Sequence, residues 1–190
     1  ADLIKSGRSA GGVVRLGYAD VDRSWTTTLA GAGRSGAWQG LLLGTYRSGH
    51  ELDNRGDNGA ADVTRTTPNP ADADGHYLLG KLRFDATASQ QFGVTLESQQ
   101  RTQDTDVLSA IAVPPLTATS TVGLTAHDKV ARDRVSLEHL YVDAGASWLQ
   151  RAQTQLYSQN AKVSQFTAED RSTAADRTRD NTYKQDVVGL

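Results

Sequence analysis

Histidine is the residue type in this sequence that best suits a bound ligand, because imidazole coordinates iron and other transition metals. The chain has four histidines, at His50, His76, His127 and His139. His50 and His76 flank one long segment that lacks a strand pattern, so we expect both at the base of one loop. They are the candidate ligand-docking residues. The alternative role for each is a hydrogen bond that fixes the loop base.

Acidic residues crowd the same segment, and carboxylates in a glycine-rich loop can bind Ca²⁺. They are Asp53, Asp57, Asp62, Asp72 and Asp74. The EF-hand spacing is absent, because Arg55 occupies a ligand position and no glutamate follows in register. The sequence therefore predicts a solvated acidic loop and no metal site.

Catalytic motifs are missing. Serine, histidine and aspartate all occur, but no Gly-x-Ser-x-Gly nucleophile elbow does. Glu138 and His139 are adjacent in a predicted strand, so their side chains point to opposite faces and cannot share one site. No glycine-rich phosphate loop opens a helix. We predict no catalytic residue and expect that the protein is not an enzyme.

Composition narrows the class of protein. The chain has 190 residues, of which 37% are hydrophobic, and its mean hydropathy is −0.49. That excludes helical membrane spans, which need about 20 consecutive apolar residues. A net charge of −2 gives no reason to expect nucleic acid as a partner. The chain has no cysteine, no methionine and no signal peptide pattern, so we expect a processed or partial product.

Period-two alternation of apolar and polar residues recurs along the chain and predicts eight half-buried strands. The third is the clearest. Trp38, Gly40, Leu42, Gly44 and Tyr46 share one face, and Gln39, Leu41, Leu43, Thr45 and Arg47 share the other. The seventh, about Ser147 to Phe166, is very polar and its facing is ambiguous, so we expect it to extend above a membrane. The eighth covers roughly Asp180 to Leu190.

Aromatic residues suggest where a membrane would lie. Eight residues separate Trp38 from Tyr46, or roughly 26 Å along a strand and roughly 20 Å along the membrane normal at a tilt of about 40°. The apolar band of membrane barrels is about 25 Å tall between aromatic girdles. The predicted interface aromatics are Tyr18, Trp25, Trp38, Tyr46, Phe84, Phe92 and Tyr141. The alternative is a soluble sandwich with Trp38 and Tyr46 in its core.

The gaps between strands alternate in length. The short gaps are 32–36, 87–90 and 143–146, and the long ones run roughly over 49–76, 101–132 and 168–177. Outer-membrane barrels have short turns on one side and long loops on the other. Lys81, Arg83, Glu97 and Glu138 fall on the strand faces opposite the apolar residues, where a wide, wet lumen would accommodate them. The fold class is therefore predicted to be all-β, a transmembrane antiparallel up-and-down β-barrel.

Four runs of the sequence carry a resemblance to a known family. They are 47–57 (RSGHELDNRGD), 65–70 (RTTPNP), 78–82 (LLGKL) and 177–183 (RTRDNTY). In content and order they resemble the first part of the barrel of TonB-dependent outer-membrane receptors for haem and haemoglobin. The resemblance implies a barrel of about 22 strands closed by an N-terminal plug. Residues 1–190 would form about eight of those strands, a partial transmembrane domain without the plug.

The resemblance also implies a function: haem uptake across the outer membrane of a Gram-negative cell. Haem would be the transported ligand and not a catalytic cofactor. The partners would be haem or a haemoprotein at the outer loops, TonB through a plug segment outside this chain, and the lipid bilayer. The family's Phe-Arg-Ala-Pro box and Asn-Pro-Asn-Leu element are absent from the chain, so no haem ligand is carried over. Only His50 and His76 remain as docking candidates.

Three other functions stay open. One is a TonB-dependent receptor for a siderophore. Another is a closed eight-stranded barrel that serves as a structural or adhesion protein, whose interior would be just wide enough for its own side chains. The third is an outer-membrane hydrolase, which the absence of a nucleophile motif disfavours.

Overall fold

A computed structural model describes residues 3–190, and almost all of its regular structure is β-strand. The eight strands are β1 (Ala10–Ala19), β2 (Ser24–Ser35), β3 (Trp38–His50), β4 (Ala71–Asp85), β5 (Gln90–Asp106), β6 (Thr121–Val142), β7 (Arg151–Arg171) and β8 (Arg177–Gly189). Two single 3-10 turns, Asp20–Asp22 and Leu108–Ala110, lie in the connections. The all-β prediction is confirmed.

The strands form one sheet in which each pairs antiparallel with its neighbours in the sequence, in the order β1 to β8. The predicted up-and-down antiparallel topology is therefore confirmed. Within the part of the chain that the structure describes, β1 and β8 are the two edges and do not pair with each other, so the sheet is open.

No second sheet packs against the first among residues 3–190, and the sandwich alternative is wrong for them. The hydrophobic core of these residues consists of Ala71 alone, which is 8% exposed. Trp38 and Tyr46 are 49% and 52% exposed rather than buried. A soluble domain of this length would bury a large share of its apolar side chains. Here the apolar side chains stand on the surface.

The connections lie at two ends of the sheet. We call the end with the connections 20–23, 51–70, 107–120 and 172–176 the rim end, and the end with 36–37, 86–89 and 143–150 the turn end. The longest connections, 51–70 and 107–120, both lie at the rim end as expected. The strict alternation of lengths is wrong, because the turn-end connection 143–150 is longer than the rim-end connections 20–23 and 172–176.

Several strands run farther than predicted. The gap expected over 101–132 is mostly strand, because β5 continues to Asp106 and β6 begins at Thr121. β6 has 22 residues and β7 has 21, whereas a membrane-spanning strand needs about 9–11. The rim-end half of β6 lacks apolar alternation, so no strand was predicted there, whereas β7 extends only five residues beyond the predicted end at Phe166. Cross-strand pairs such as Gln103 with Asp128 satisfy the backbone instead.

Candidate functional site

The two faces of the sheet differ in composition from edge to edge. Residues directly opposite one another on paired strands point to the same face, so the register defines the two faces. We call the face that carries Leu42 the band face, and the face that carries Leu43 the arginine face. The register assigns Leu156 of β7 to the band face, opposite Leu137, and Tyr157 to the arginine face. This resolves the facing that the polar sequence of β7 left ambiguous.

The band face exposes a continuous belt of large apolar side chains. Leu16 and Leu42 are each 73% exposed, and Val14 is 66% exposed. Leu29, Leu78, Leu82, Leu96, Val135, Leu137 and Leu156 belong to the same belt, which crosses β1 to β7. Exposed apolar patches of this kind mark an interaction surface.

Aromatic rings line both margins of this belt, and all seven predicted interface aromatics lie on the band face. At the rim-end margin, the ring centroids of Tyr18 and Trp25 are 5.0 Å apart, and Tyr46 follows on β3. At the turn-end margin, Trp38 and Phe84 are 4.6 Å apart, and Phe84 is the cross-strand partner of Phe92. Tyr141 lies farther toward the turn end of β6.

His139 continues the turn-end aromatic row, which the sequence did not predict. Its ring stacks on Phe92 with 4.7 Å between centroids and 18° between planes. Its Nε2 is buried and has no hydrogen-bond partner among residues 3–190. Glu138 faces the other way, as the alternation predicted. His139 is therefore a member of the aromatic margin.

The rim-end margin of the belt slopes across the sheet. One cross-strand row runs through Tyr18, Trp25, Ser48, Asp74, Thr102 and Lys129. On β6 the large apolar side chains of the belt stop at Val135, six positions from Lys129 and five strands along from β1. The margin therefore shifts by about 1.2 residues per strand. With a rise of about 3.3 Å per residue and about 4.8 Å between strands, the slope is about 40°.

A slope of this size has a simple geometrical meaning. Strands of closed barrels tilt by about 35–45° to the barrel axis. An apolar zone perpendicular to the barrel axis would then run at that same angle to the cross-strand rows. Beyond the margin the band face is polar, with Asp133, Asn160 and Asp186 in one row and Phe166 as an apolar exception. The rim-end margin fits a level zone across tilted strands, whereas the turn-end rings Trp38, Phe84, Phe92 and His139 share one cross-strand row.

The arginine face carries every arginine that lies within a strand. These are Arg15, Arg34, Arg47, Arg83, Arg101, Arg132, Arg134, Arg151, Arg171, Arg177 and Arg179. By contrast, Lys129, Lys162 and Lys184 lie on the band face beyond the rim-end margin. Alternation along single strands predicted charges opposite the apolar residues, and Lys81 of β4 lies there with the arginines. It did not predict that the three lysines beyond the rim-end margin lie on the other face.

Hydrogen bonds rather than ion pairs connect many polar side chains of the arginine face. Asp85 accepts from Gln91 at 2.6 Å and from Gln39 at 3.1 Å. Gln155 donates to Glu138 at 3.2 Å. Over residues 3–190, the strand arginines within 4.0 Å of a carboxylate are Arg47, Arg171 and Arg177. Within residues 3–190, the other strand guanidiniums of this face have no carboxylate within 4.0 Å, so no ion pair neutralises their positive charge.

Charged pairs fix the rim end of β2 and β3. Arg47 pairs with the carboxylate of Asp22, which is 9% exposed. Arg23 donates to Glu51 at 2.6 Å, and the Ala71 N–H donates to the second oxygen of Glu51 at 2.9 Å. The Ala71 N–H, with Arg23 beside it, lowers the pKa of Glu51 below its ordinary value of 4.5. Glu51 therefore joins the two ends of the connection 51–70.

The connection 51–70 is held by its own polar side chains. The Asn58 amide donates to Thr64 O at 2.8 Å, and the Arg65 guanidinium donates to Gly59 O at 2.7 Å and to Pro68 O at 2.8 Å. Gly56 has no room for a side chain, because a Cβ there would collide with the Thr66 carbonyl. The loop is a built structure and not an open acidic ligand cage.

The predicted docking histidines lie in strands at the rim end. His50 ends β3, and its Nδ1 is 2.8 Å from Asp72 Oδ1 on β4. His76 lies in β4, opposite Tyr46. Both are on the band face, four residues apart in register, or roughly 13 Å. The structure therefore gives His50 a carboxylate partner and does not bring the two rings together.

A second His–Asp pair continues the row that contains His50. Asp72 is the cross-strand partner of Asp104, and Asp104 Oδ1 is 2.6 Å from His127 Nδ1. Side chains of this row are well exposed. Across the described ranges, no group of three His, Cys, Asp or Glu residues is arranged to hold a metal ion.

A cavity of about 680 Å³ lies at the rim end between the base of the connection 51–70 and strands β3 to β5. Arginine-face side chains that line it are Arg47, Tyr77, Gln99, Arg101, Gln103 and Thr105. His50 and His76 border it, although strand alternation directs their side chains to the band face. The volume is in the usual range of small-molecule sites.

In comparison with known proteins, no family model and no curated protein matches the chain. Among residues 3–190, no helix is long and apolar enough to span a membrane. The candidate site therefore consists of the two faces of the sheet and the rim-end cavity between the connection 51–70 and strands β3 to β5.

Proposed function

We propose that the chain is part of the wall of an outer-membrane transport barrel, with lipid against the band face and a wet passage against the arginine face. The observation that carries this proposal is the exposed apolar belt between two aromatic margins. The slope of about 40° along its rim-end margin supports strands that tilt in a closed barrel. Its exposed leucines would be costly in water and are favourable in lipid.

The barrel is larger than eight strands in this proposal. An eight-stranded barrel requires a pairing of β1 with β8, which the described residues lack. Its narrow interior would also have to accommodate the arginine face, which carries few carboxylates to pair with its guanidiniums. Additional strands on both edges relieve both difficulties. The open sheet thus favours a large transport barrel over a small structural or adhesion barrel.

The transported ligand is haem, or haem taken from a haemoprotein, and transport depends on TonB. The four runs of sequence that resemble haem receptors support this choice, and the rim-end cavity supports a ligand site beside the passage. In this function the loop 51–70 contributes to the outer mouth. A siderophore is the alternative cargo for the same barrel.

Growth on a defined iron source tests this function. A Gram-negative strain that lacks haem uptake receives the full-length gene and is starved of iron. Growth on haem, lost when tonB is deleted, is the expected result. Growth on a ferric siderophore but not on haem would transfer the proposal to the alternative cargo. Normal surface expression with growth on neither source would overturn it.

A further inference from the structure

Two arginines of the rim-end wall lack a carboxylate partner and lie side by side. Arg101 on β5 is the cross-strand partner of Val130, so Arg132 is its diagonal neighbour on β6. Diagonal positions of this kind are about 7–8 Å apart between Cα atoms. Among residues 3–190, no carboxylate lies within 4.0 Å of either guanidinium.

The polar contacts of these guanidiniums leave most of their donors free. Arg101 Nη2 donates to Gln103 Oε1 at 3.1 Å, which is a neutral acceptor. Arg132 Nε is buried and has no hydrogen-bond partner within the described part of the chain. A buried donor of a permanent cation without a partner is costly, and a bound anion would offset that cost.

The surroundings of Arg101 have the shape of a ligand site. Gly75 lies between Arg47 and Arg101 in one cross-strand row. Because glycine has no side chain, the space between the side chains of Arg47 and Arg101 is left open. The neighbouring row places Tyr77 and Gln99 beside Arg132. Arg101, Tyr77 and Gln99 line the cavity of about 680 Å³, and Arg132 is linked to it through its cross-strand neighbour Gln99 rather than as a lining residue.

We propose that Arg101 and Arg132 form a binding site for the carboxylate groups of the transported ligand. Guanidinium is planar and presents paired N–H donors that match a carboxylate in a bidentate way, which a lysine does not do. Two arginines at diagonal positions offer two guanidiniums, one for each of two carboxylates of a single ligand. Haem carries two propionates and is such a ligand. The choice of haem rests on the proposed function, whereas the preference for carboxylates follows from the two arginines.

The carboxylates nearest in the register belong to Glu97 and Asp128. The Tyr77 hydroxyl donates to Glu97 at 3.4 Å, and Asp128 is the cross-strand partner of Gln103. Neither approaches the two guanidiniums within 4.0 Å. Arg47 is already paired with Asp22 and is not a member of the site.

A comparison of haem with its dimethyl ester distinguishes binding of the carboxylates from binding of the porphyrin ring. Both are titrated against the full-length receptor in detergent, followed by the haem absorbance. We expect the unmodified protein to bind haem at least tenfold more tightly than the ester. In the double variant Arg101→Gln/Arg132→Gln that preference should disappear, with ester binding unchanged. Arg83→Gln, on the same face but at the turn end, is the matched control and should keep the preference.

Three results would overturn the site. They are equal binding of haem and ester by the unmodified protein, a preference that survives in the double variant, and an equal loss in Arg83→Gln. The second would mean that other groups of the protein bind the propionates, and the third would indicate a diffuse positive potential rather than a defined site. If the double variant does not fold, Arg101→Gln alone replaces it, since Arg101 is exposed.

Citrate distinguishes failure of the site from failure of the proposed function. If the unmodified receptor binds neither haem nor its ester, haem is not the ligand. Citrate, measured by calorimetry, then probes the arginines without a porphyrin. Binding of citrate that disappears in the double variant would uphold the carboxylate site with another ligand. No binding of citrate would overturn the site together with the haem proposal.

Discussion

Leu42 and Leu43 are neighbours in β3, and they belong to two different surfaces. Leu42 is 73% exposed on the band face among leucines, glycines and aromatic rings, whereas Leu43 is half-buried on the arginine face. In a soluble protein the more buried leucine would be the more important one for stability. In the proposed barrel the order is reversed, because lipid covers Leu42 and water reaches the face of Leu43. Exposure of an apolar side chain has no energetic meaning until the solvent is known.

Arginine substitutions at these two leucines give the largest expected effect. Leu42→Arg should lower the free energy of unfolding in lipid vesicles by about 2–4 kcal/mol, because Leu42 lies midway between the two aromatic margins. Leu43→Arg should cost much less. Chemical denaturation of the vesicle-inserted protein measures both. Equal costs would break the assignment of the faces, and a larger cost at Leu43 would indicate a sheet that is stable in water.

The slope of the belt can be tested within one cross-strand row. Val14 of β1 and Ser98 of β5 lie in the same row, yet Val14 is at the centre of the belt and Ser98 is beyond its margin. We expect Val14→Arg to cost about 2–4 kcal/mol and Ser98→Arg only about 0–1 kcal/mol in the same vesicle assay. Similar costs at both positions would mean that the apolar zone follows the rows and that the strands do not tilt.

Much of the comparison between the faces was predictable from the sequence, because a period of two assigns alternate residues of one strand to opposite faces. The facing of Leu42 and Leu82 follows in this way. The slope of the belt was not predictable, because it requires the register between strands. The rim-end parts of β5 and β6 were missed because both of their faces are polar, so alternation has no contrast, whereas the predicted seventh strand already reached Phe166 of β7.

Pairings between distant segments were the other omission. The contacts of Arg47 with Asp22 and of Glu51 with Ala71 join residues that no local pattern connects. The predicted loop over 49–76 is shorter in the structure, 51–70, so His50 ends β3 and His76 lies within β4. The arginines without a carboxylate partner could be recognised only from the register between strands, which places them on one face.

The aromatic margin should contribute a smaller, measurable coupling. The rings of Trp38 and Phe84 are 4.6 Å apart, and aromatic pairs of this geometry are worth about 0.5–1.5 kcal/mol beyond their burial. A double-mutant cycle with Trp38→Ala and Phe84→Ala should yield that coupling in vesicles. The control cycle combines Trp38→Ala with Tyr46→Ala at the other margin and should be additive. A coupling near zero in the first cycle would mean that the margin is a set of independent rings.

The smallest effect concerns the rim, where pH should act on the loop and leave the wall unchanged. Glu51 has a pKa below its ordinary value of 4.5, mainly through the Ala71 N–H, so its charged form stabilises the folded loop base. That contribution is complete above about pH 4.5 and is lost as the pH falls through the lowered pKa. Limited proteolysis of the connection 51–70 should therefore accelerate only in this acidic range.

Glu51→Gln is the matched variant, because it keeps the shape of the side chain and removes the charge. Its loop should be cleaved faster than that of the unmodified protein at neutral pH and should show no further acceleration that depends on residue 51. Cleavage between β-strands at the turn end, in the connection 86–89, should stay constant in both proteins. An acid response that persists in Glu51→Gln would assign the sensitivity to another carboxylate of the loop. Asp62 is the next candidate, since hydrogen bonds from Thr64 lower its pKa as well. The connection 51–70 would then respond to pH through Asp62 in its interior. Its attachment to β3 and β4 would not depend on the charge of Glu51.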